Sequence, residues 1–246
     1  VKKLGCILHL LGDPQSQLRP GSDEWSGSNF SSVISGTAML KSCVDYTRCV
    51  FTEPKRCDKK LFAWISTIAN GGIRAKLPFN TLLEQARLAF PATGRPRETN
   101  VSLTHLTRKR VIHVAQKLAL RRDRPKAYIV LDGEVRLYIY PTVRLIACLH
   151  SSKHGLYNSM LLRFESYDSE SIHLRNEEGE QRFTLSHSFC REHLRSAHCW
   201  TLASCQGRTI GTTLGIWDTA HRKFSVRALY TALSRSRHFE TISIES

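Results

Sequence analysis

The hydrophobic period changes twice along this chain, and that limits the folds open to it. Val101–Leu106 reads as a strand. Arg108–Leu120 reads as a helix, with Val111, Ala115, Leu118 and Ala119 on its apolar face and Thr107 as its cap. From Ala127 to Ser186 the period drops to two. Thr213–Trp217 then reads as a strand again, and Ser225–Ser234 as a helix with Val226, Leu229, Tyr230 and Leu233 on one face. Strand–helix units bury their apolar sides in a parallel sheet covered by helices. Closely spaced period-two segments build an antiparallel sheet or small barrel. The sequence therefore predicts an α/β domain interrupted by a small antiparallel β insertion.

The other segments fit that outline. Leu4–Leu11 is a short apolar run that stops at Gly12-Asp13-Pro14, as a buried parallel strand does. Gly21–Ser32 reads as a linker. Leu61, Trp64, Ile65, Ile68 and Ala69 fall at helical spacing, with Asp58 as cap and Asn70-Gly71-Gly72 as stop. Leu77–Glu98 holds a short helix followed by the loop Pro91–Arg97. Within the insertion, Tyr128–Leu131 and Glu134–Tyr140 flank an Asp132-Gly133 turn. Further strands are expected at Val143–Leu149, Met160–Glu165, Ser171–Leu174 and Arg182–Leu185, with a turn at Glu177–Gly179, and the last strand at Thr241–Ile244.

Composition narrows the class. Hydrophobic residues make up 41% of the 246, enough for a packed core. The net charge of +15 draws polyanions, nucleic acid first among them. The 8 cysteines form no Cys-x-x-Cys pair and lie scattered, the usage of a reducing intracellular compartment, nucleus or cytoplasm. No apolar run is long enough to span a bilayer, so no membrane partner is expected. Cys190, His193, His198 and Cys199 are near in sequence. In a strand, however, His198 and Cys199 point to opposite faces, and no metal site is expected. No Gly-x-Ser-x-Gly elbow occurs. Arg121–Arg124 and Arg95-Pro96-Arg97 read as solvated charge.

Four patches carry the chemistry. The first is Gly12-Asp13-Pro14-Gln15-Ser16-Gln17-Leu18-Arg19-Pro20, where an amide can donate to a phosphate oxygen without bringing charge. The second is Thr52–Asp58, where Arg56 offers a planar fork to a phosphate. In the third, Cys199–Ile210, Thr201, Ser204, Gln206, Gly207 and Thr209 present small hydroxyls and an open backbone to a sugar-phosphate chain. Nothing there reads base edges, so binding independent of sequence is expected. The fourth is Leu229–Arg237, a helix ending in Ala232-Leu233-Ser234-Arg235.

In this order the patches resemble motifs III, IV, V and VI of superfamily 1 helicases, nearest to the 5′-to-3′ DNA helicases of large DNA viruses and mobile elements. Ile216-Trp217-Asp218 also looks like that family. The resemblance implies the second motor domain of a RecA-like P-loop NTPase fold. It makes Gln17 (or Gln15, one extra residue being present) the γ-phosphate sensor and places Gly12 and Asp13 at the nucleotide. Arg56 becomes a phosphate contact and Arg235 the arginine finger, with Arg237 a weaker candidate. Thr201, Ser204, Gln206, Gly207 and Thr209 become the strand grip. ATP with Mg²⁺ is the implied cofactor and single-stranded DNA the implied partner, with RNA as the alternative. The sequence departs from the family in lacking a histidine before Gln206-Gly207.

No Gly-x-x-x-x-Gly-Lys-Ser/Thr occurs, nor an Asp-Glu pair closing an apolar strand. The expected organisation is residues 1–22 as the end of a first RecA-like domain and 23–126 as the start of a second. Residues 127–190 are the β insertion and 191–246 complete the second domain. The implied function is the C-terminal part of an ATP-dependent helicase acting in replication, repair or recombination, unable to hydrolyse ATP without the missing N-terminal RecA-like domain. The rivals are a motor-less basic nucleic-acid-binding module of the same fold and a fragment of a viral RNA helicase.

Overall fold

A computed structural model describes residues 55–70, 77–122, 127–131, 135–139 and 143–245. Several expectations lie outside them: Leu4–Leu11, Gly12, Asp13, Gln15 and Gln17, the linker Gly21–Ser32, the start of the Thr52–Asp58 patch, Gly71-Gly72 and the Asp132-Gly133 turn. In chain order the elements are α1 (Lys59–Thr67), α2 (Phe79–Ala89), β1 (Thr99–Ser102), α3 (His105–Arg122), β2 (Ala127–Leu131) and β3 (Val135–Ile139). There follow β4 (Arg144–Ala147), β5 (Leu161–Tyr167), β6 (Ser171–Asn176), β7 (Arg182–Ser186), α4 (His187–His193) and β8 (Leu194–Ser196). The α/β part resumes with β9 (Cys199–Thr201), β10 (Leu214–Ile216), α5 (Val226–Leu233) and β11 (Ile242–Ile244).

Four strands form a parallel sheet in the order β11-β10-β1-β9. All four residues of β1 are buried, although three are polar. They are tolerated because they are bonded. The Asn100 amide donates to the carbonyls of Arg97 and His198, both at 2.8 Å. Its oxygen accepts from Arg97 N and from Trp217 Nε1, both at 2.9 Å. Every hydrogen-bonding direction of the amide is filled, which is what makes a buried polar group affordable. The facing position on β10 must be glycine, since a Cβ on Gly215 would lie 2.5 Å from the Asn100 oxygen.

The strand ends earlier than the apolar pattern predicts, and the helix begins earlier. Thr104, not Thr107, caps α3, its hydroxyl accepting from Thr107 N at 3.2 Å. Asp218 reinforces the cap from across the sheet, accepting from Thr104 N and Thr104 Oγ1 at 2.9 Å and from Thr107 Oγ1 at 2.5 Å. Val111, Ile112 and Ala115 face the core, while Leu118 points to solvent. Asp58 caps α1 as expected, accepting from Leu61 N at 2.7 Å. Ser225 caps α5, accepting from Ala228 N at 3.3 Å. Helices and sheet share one core that includes Leu61, Ile65, Phe90, Val101, Trp200, Ile216, Leu229 and Leu233.

The period-two region forms a five-stranded antiparallel sheet, β7-β6-β5-β4-β8, and a separate β2–β3 hairpin. The five-stranded sheet has its own core around Val143, Leu145, Leu156, Met160, Leu162, Phe164 and Leu174. Helix α4 has no counterpart in the strand pattern; Ser186 caps it by accepting from Phe189 N. The expected insertion boundary at 190 falls inside α4, and β8 beyond it pairs with β4 through Leu145 and Ser196.

Arg144 joins the two sheets. Its Nε and Nη2 donate to Glu177 at 3.0 and 2.7 Å, and its Nη1 to Thr99 on β1 at 3.3 Å. Arg163 grips the other Glu177 oxygen at 2.9 and 2.7 Å. Burial alone would raise the Glu177 carboxyl, but the bonds and charges of the two arginines outweigh it and hold it below its usual range.

Two predictions follow from this packing. Asn100→Ala strips partners from Trp217 Nε1 and two carbonyls, and should cost about 1–3 kcal/mol in urea unfolding; an unchanged midpoint would show that the amide is dispensable. For Glu177 the folded value lies below the ordinary one of about 4.3. Its stabilisation is therefore full above that pH and lost as pH falls through the lowered folded value. Thermal unfolding on acidification should be steeper for wild type than for Glu177→Gln, and parallel curves would contradict the assignment.

Candidate nucleotide and strand site

The third sequence patch folds as a tight loop on the C-terminal end of β9. Leu202 N continues the sheet ladder to Ser102 O at 2.9 Å, and the side chains of Leu202 and Cys205 are buried anchors. Between them Ser204 Oγ donates to Thr201 O at 2.9 Å, while Thr201 Oγ1 accepts from Ser204 N at 3.3 Å and donates to Ser204 Oγ at 3.0 Å. Ser204, Gly207 and Thr209 are exposed; Thr201 and Gln206 are half-buried. Gly207 turns the chain at φ 80°, in the left-handed region, and a Cβ there would meet nothing within 4 Å. Glycine is thus required by backbone conformation, and the space above it is open. Burial pushes the Cys205 thiol up to about 12, so it stays protonated and serves as packing.

The fourth patch lies against this loop. Ile210 N donates to Arg235 O at 2.7 Å, and Arg237 N to Ile210 O at 3.2 Å. The Arg235 side chain is only 2% exposed. Its Nε donates to Thr231 O at 3.2 Å, Nη1 to Arg208 O at 3.4 Å and Nη2 to Ser234 Oγ at 2.9 Å. Each nitrogen is engaged once, and each terminal nitrogen keeps a second N–H. The guanidinium is therefore fixed in place without being saturated. Arg237, next but one, is exposed.

The second patch meets the fourth through Asp58. With one oxygen capping α1, its other accepts from Phe239 N at 2.8 Å, and its own N–H donates to Arg237 O at 2.9 Å. This docking brings the segment that carries Arg56 against the segment that carries Arg235. Burial depresses the Arg235 pKa from its usual value, and the charge of Arg56 pushes the same way. Among the described residues, neither guanidinium forms an ion pair with a carboxylate, and a guanidinium suits an anion's oxygens.

The structure thus brings Arg56, Arg235 and the Thr201–Thr209 loop into one cluster; Gly12, Asp13 and Gln17 are outside the described residues. Asp218, part of the helicase-like Ile216–Asp218 stretch, is occupied in capping α3. Sequence reading missed Arg208. Its guanidinium lies 4.8 Å from the Trp200 ring centroid and its Nη2 donates to Ser159 O in the antiparallel unit. The one sequence signal was an arginine placed between Gly207 and Thr209. His198 is neutral, burial lowering its pKa to about 4, and among the described residues no group of three His, Cys, Asp or Glu is placed to hold a metal ion.

Gly207→Ala tests the loop geometry. With no clash to relieve, the whole penalty is the left-handed φ, about 1–2 kcal/mol by urea unfolding. Gly207→Asn should lose less, since asparagine tolerates that region better. Equal stability of all three proteins would mean that the loop does not hold this conformation.

No protein-family model and no curated protein sequence matches the chain. Solved structures do resemble it. Bacteroides Pif1 bound to ssDNA superposes with a TM-score of 0.52 at 15% identity, over 79% of this chain and 50% of that one. Pif1 helicase from Bacteroides in complex with ADP-AlF3 and ssDNA gives 0.53 at 18% identity, over 79% and 51%. The chain spans about half the length of these proteins, and the fold, a parallel sheet with an antiparallel sheet inserted, is the one found in that half of the Pif1 structures.

Proposed function

We propose that the chain is the second motor domain of an ATP-dependent superfamily 1 nucleic-acid helicase. The observation that carries this reading is the cluster just described: Arg235, bonded to the carbonyl of Arg208 in the strand loop, beside Arg56. A motor must couple a phosphate contact to a strand contact, and here the two share one hydrogen bond. In this reading ATP and Mg²⁺ are held mainly by a separate domain carrying the phosphate-binding loop that this sequence lacks.

The residues fit that nucleotide. Arg235 keeps an N–H on each terminal nitrogen, and the exposed Arg56 brings a second cation for the phosphates. ATP hydrolysis supplies the free energy of the cycle. Arg235 acts as the finger that neutralises charge on the transferred phosphoryl group, and Arg56 orients the phosphates. Thr201, Ser204, Gln206, Gly207 and Thr209 hold the backbone of a single strand, taken to be DNA as in the relatives bound to ssDNA. Movement of the Arg235 guanidinium is felt at Arg208 O, which passes it to the grip. Unwinding in replication, repair or recombination is the implied role.

Two measurements test this. A phosphate-binding loop is expected in frame in the genomic sequence preceding the Val1 codon; a stop codon followed by a start would favour a motor-less module. In the polypeptide that carries that loop, Arg235→Ala should cut strand-stimulated ATP hydrolysis on the order of 1,000-fold or more. A loss of only a few-fold would remove Arg235 from the finger role.

A further inference from the structure

Tyr157 stands out among the exposed aromatic side chains because the backbone that carries it is so firmly held. The residues on either side of its turn, Leu156 and Met160, are each 1% exposed and lie in the antiparallel core, while Tyr157 itself is 44% exposed. Ser151 and Leu156 exchange backbone hydrogen bonds at 2.8 and 3.0 Å. Ser159 N donates to Ala147 O at 2.7 Å and Met160 N to Tyr157 O at 3.0 Å. Gly155 passes through φ 67°, and a Cβ there would lie 2.8 Å from Gln181 Nε2. A flexible loop exposes a tyrosine by chance. Here the turn is fixed on both sides and the ring is turned outward at the expense of its burial.

The turn is also tied to the strand loop. Arg208 stacks on Trp200 and donates to Ser159 O, two residues beyond Tyr157. One arginine thus ties the turn that carries the exposed ring to the loop whose Ser204, Gly207 and Thr209 are exposed. That loop presents hydroxyls and open backbone, which suit sugar and phosphate but offer nothing to a base. An aromatic face beside it supplies what the loop lacks.

We propose that Tyr157 is a stacking platform for one base of the single strand held by the Thr201–Thr209 loop, positioned there by Arg208. This rests on the strand-binding reading of that loop. Every base has a π face, so the platform takes any base and adds affinity without sequence preference.

The test uses the 246-residue chain, a fluorescein-labelled oligo(dT) and a matched abasic oligomer, read by anisotropy. Wild type should bind oligo(dT) more tightly than the abasic strand. Tyr157→Ala should lose about 5- to 100-fold on oligo(dT) and nothing on the abasic strand, so that the two probes become equal. Tyr157→Phe and Tyr157→Trp should keep the wild-type preference. A general loss of fold would weaken both probes together and would not be rescued by phenylalanine. If wild type and Tyr157→Ala bind oligo(dT) equally, the platform is wrong while strand binding stands. If wild type binds neither probe, the strand-binding reading fails and the platform with it.

Discussion

The buried Asn100 amide is the constraint on which the parallel sheet depends. It sits in β1, flanked by β9 and β10, and bonds to residues just before β9 and just after β10. A buried amide with all its partners confers register, because a slip by one residue would leave each of them unpaired. An apolar residue there would pack but would not fix the register in this way. Fixing the register of β9 fixes where Thr201 emerges, and fixing that of β10 fixes where Asp218 emerges. One side chain therefore sets the level of the strand loop and of the α3 cap. Gly215 is the cost of that arrangement on the neighbouring strand.

Around this frame the site is assembled by charged side chains bonded to backbone and hydroxyl groups. Asp58 bonds α1 on one side and Phe239 N on the other. Arg235 holds Thr231 O, Arg208 O and Ser234 Oγ. Arg208 reaches the antiparallel unit and Arg144 reaches back from it. Each arginine is a long side chain whose ordering costs entropy, offset because its bonds are charge-assisted and at least partly shielded from water. Burial and the charge of Arg56 both act on Arg235, whose segment is joined to that of Arg56 through Asp58.

Most elements were legible in the sequence because their apolar period and caps agree. Asp58 is read correctly as a cap since it stands directly before a periodic apolar run. The failures occur where local pattern and tertiary partner compete. Thr107 looks like a cap by position, but Asp218, over a hundred residues away, pulls the start of α3 back to Thr104. Leu118 fits the helical period yet faces solvent, because the buried stripe runs through Val111, Ile112, Ala115 and Gln116 and Leu118 falls at its edge. Thr99 and Asn100 lie outside the strand expected from the apolar pattern, since the partners that let them be buried are distant in sequence. Helix α4 is too short for its period to show.

By itself the sequence determined the kind of fold and the order of the chemical patches, because periodicity, turn residues and short motifs are local properties of a chain. It singled out Arg56, Arg235 and the Thr201–Thr209 stretch as residue types suited to phosphate and strand. Only the tertiary structure decided that these meet. The bond from Arg235 to Arg208 O, the docking of Asp58 on Phe239 and the clamp of Arg208 on Ser159 join segments that have no pattern in common. Such contacts are set by the path of the sheet and the register of its strands, which depend on all the strands together and cannot be read from any one of them.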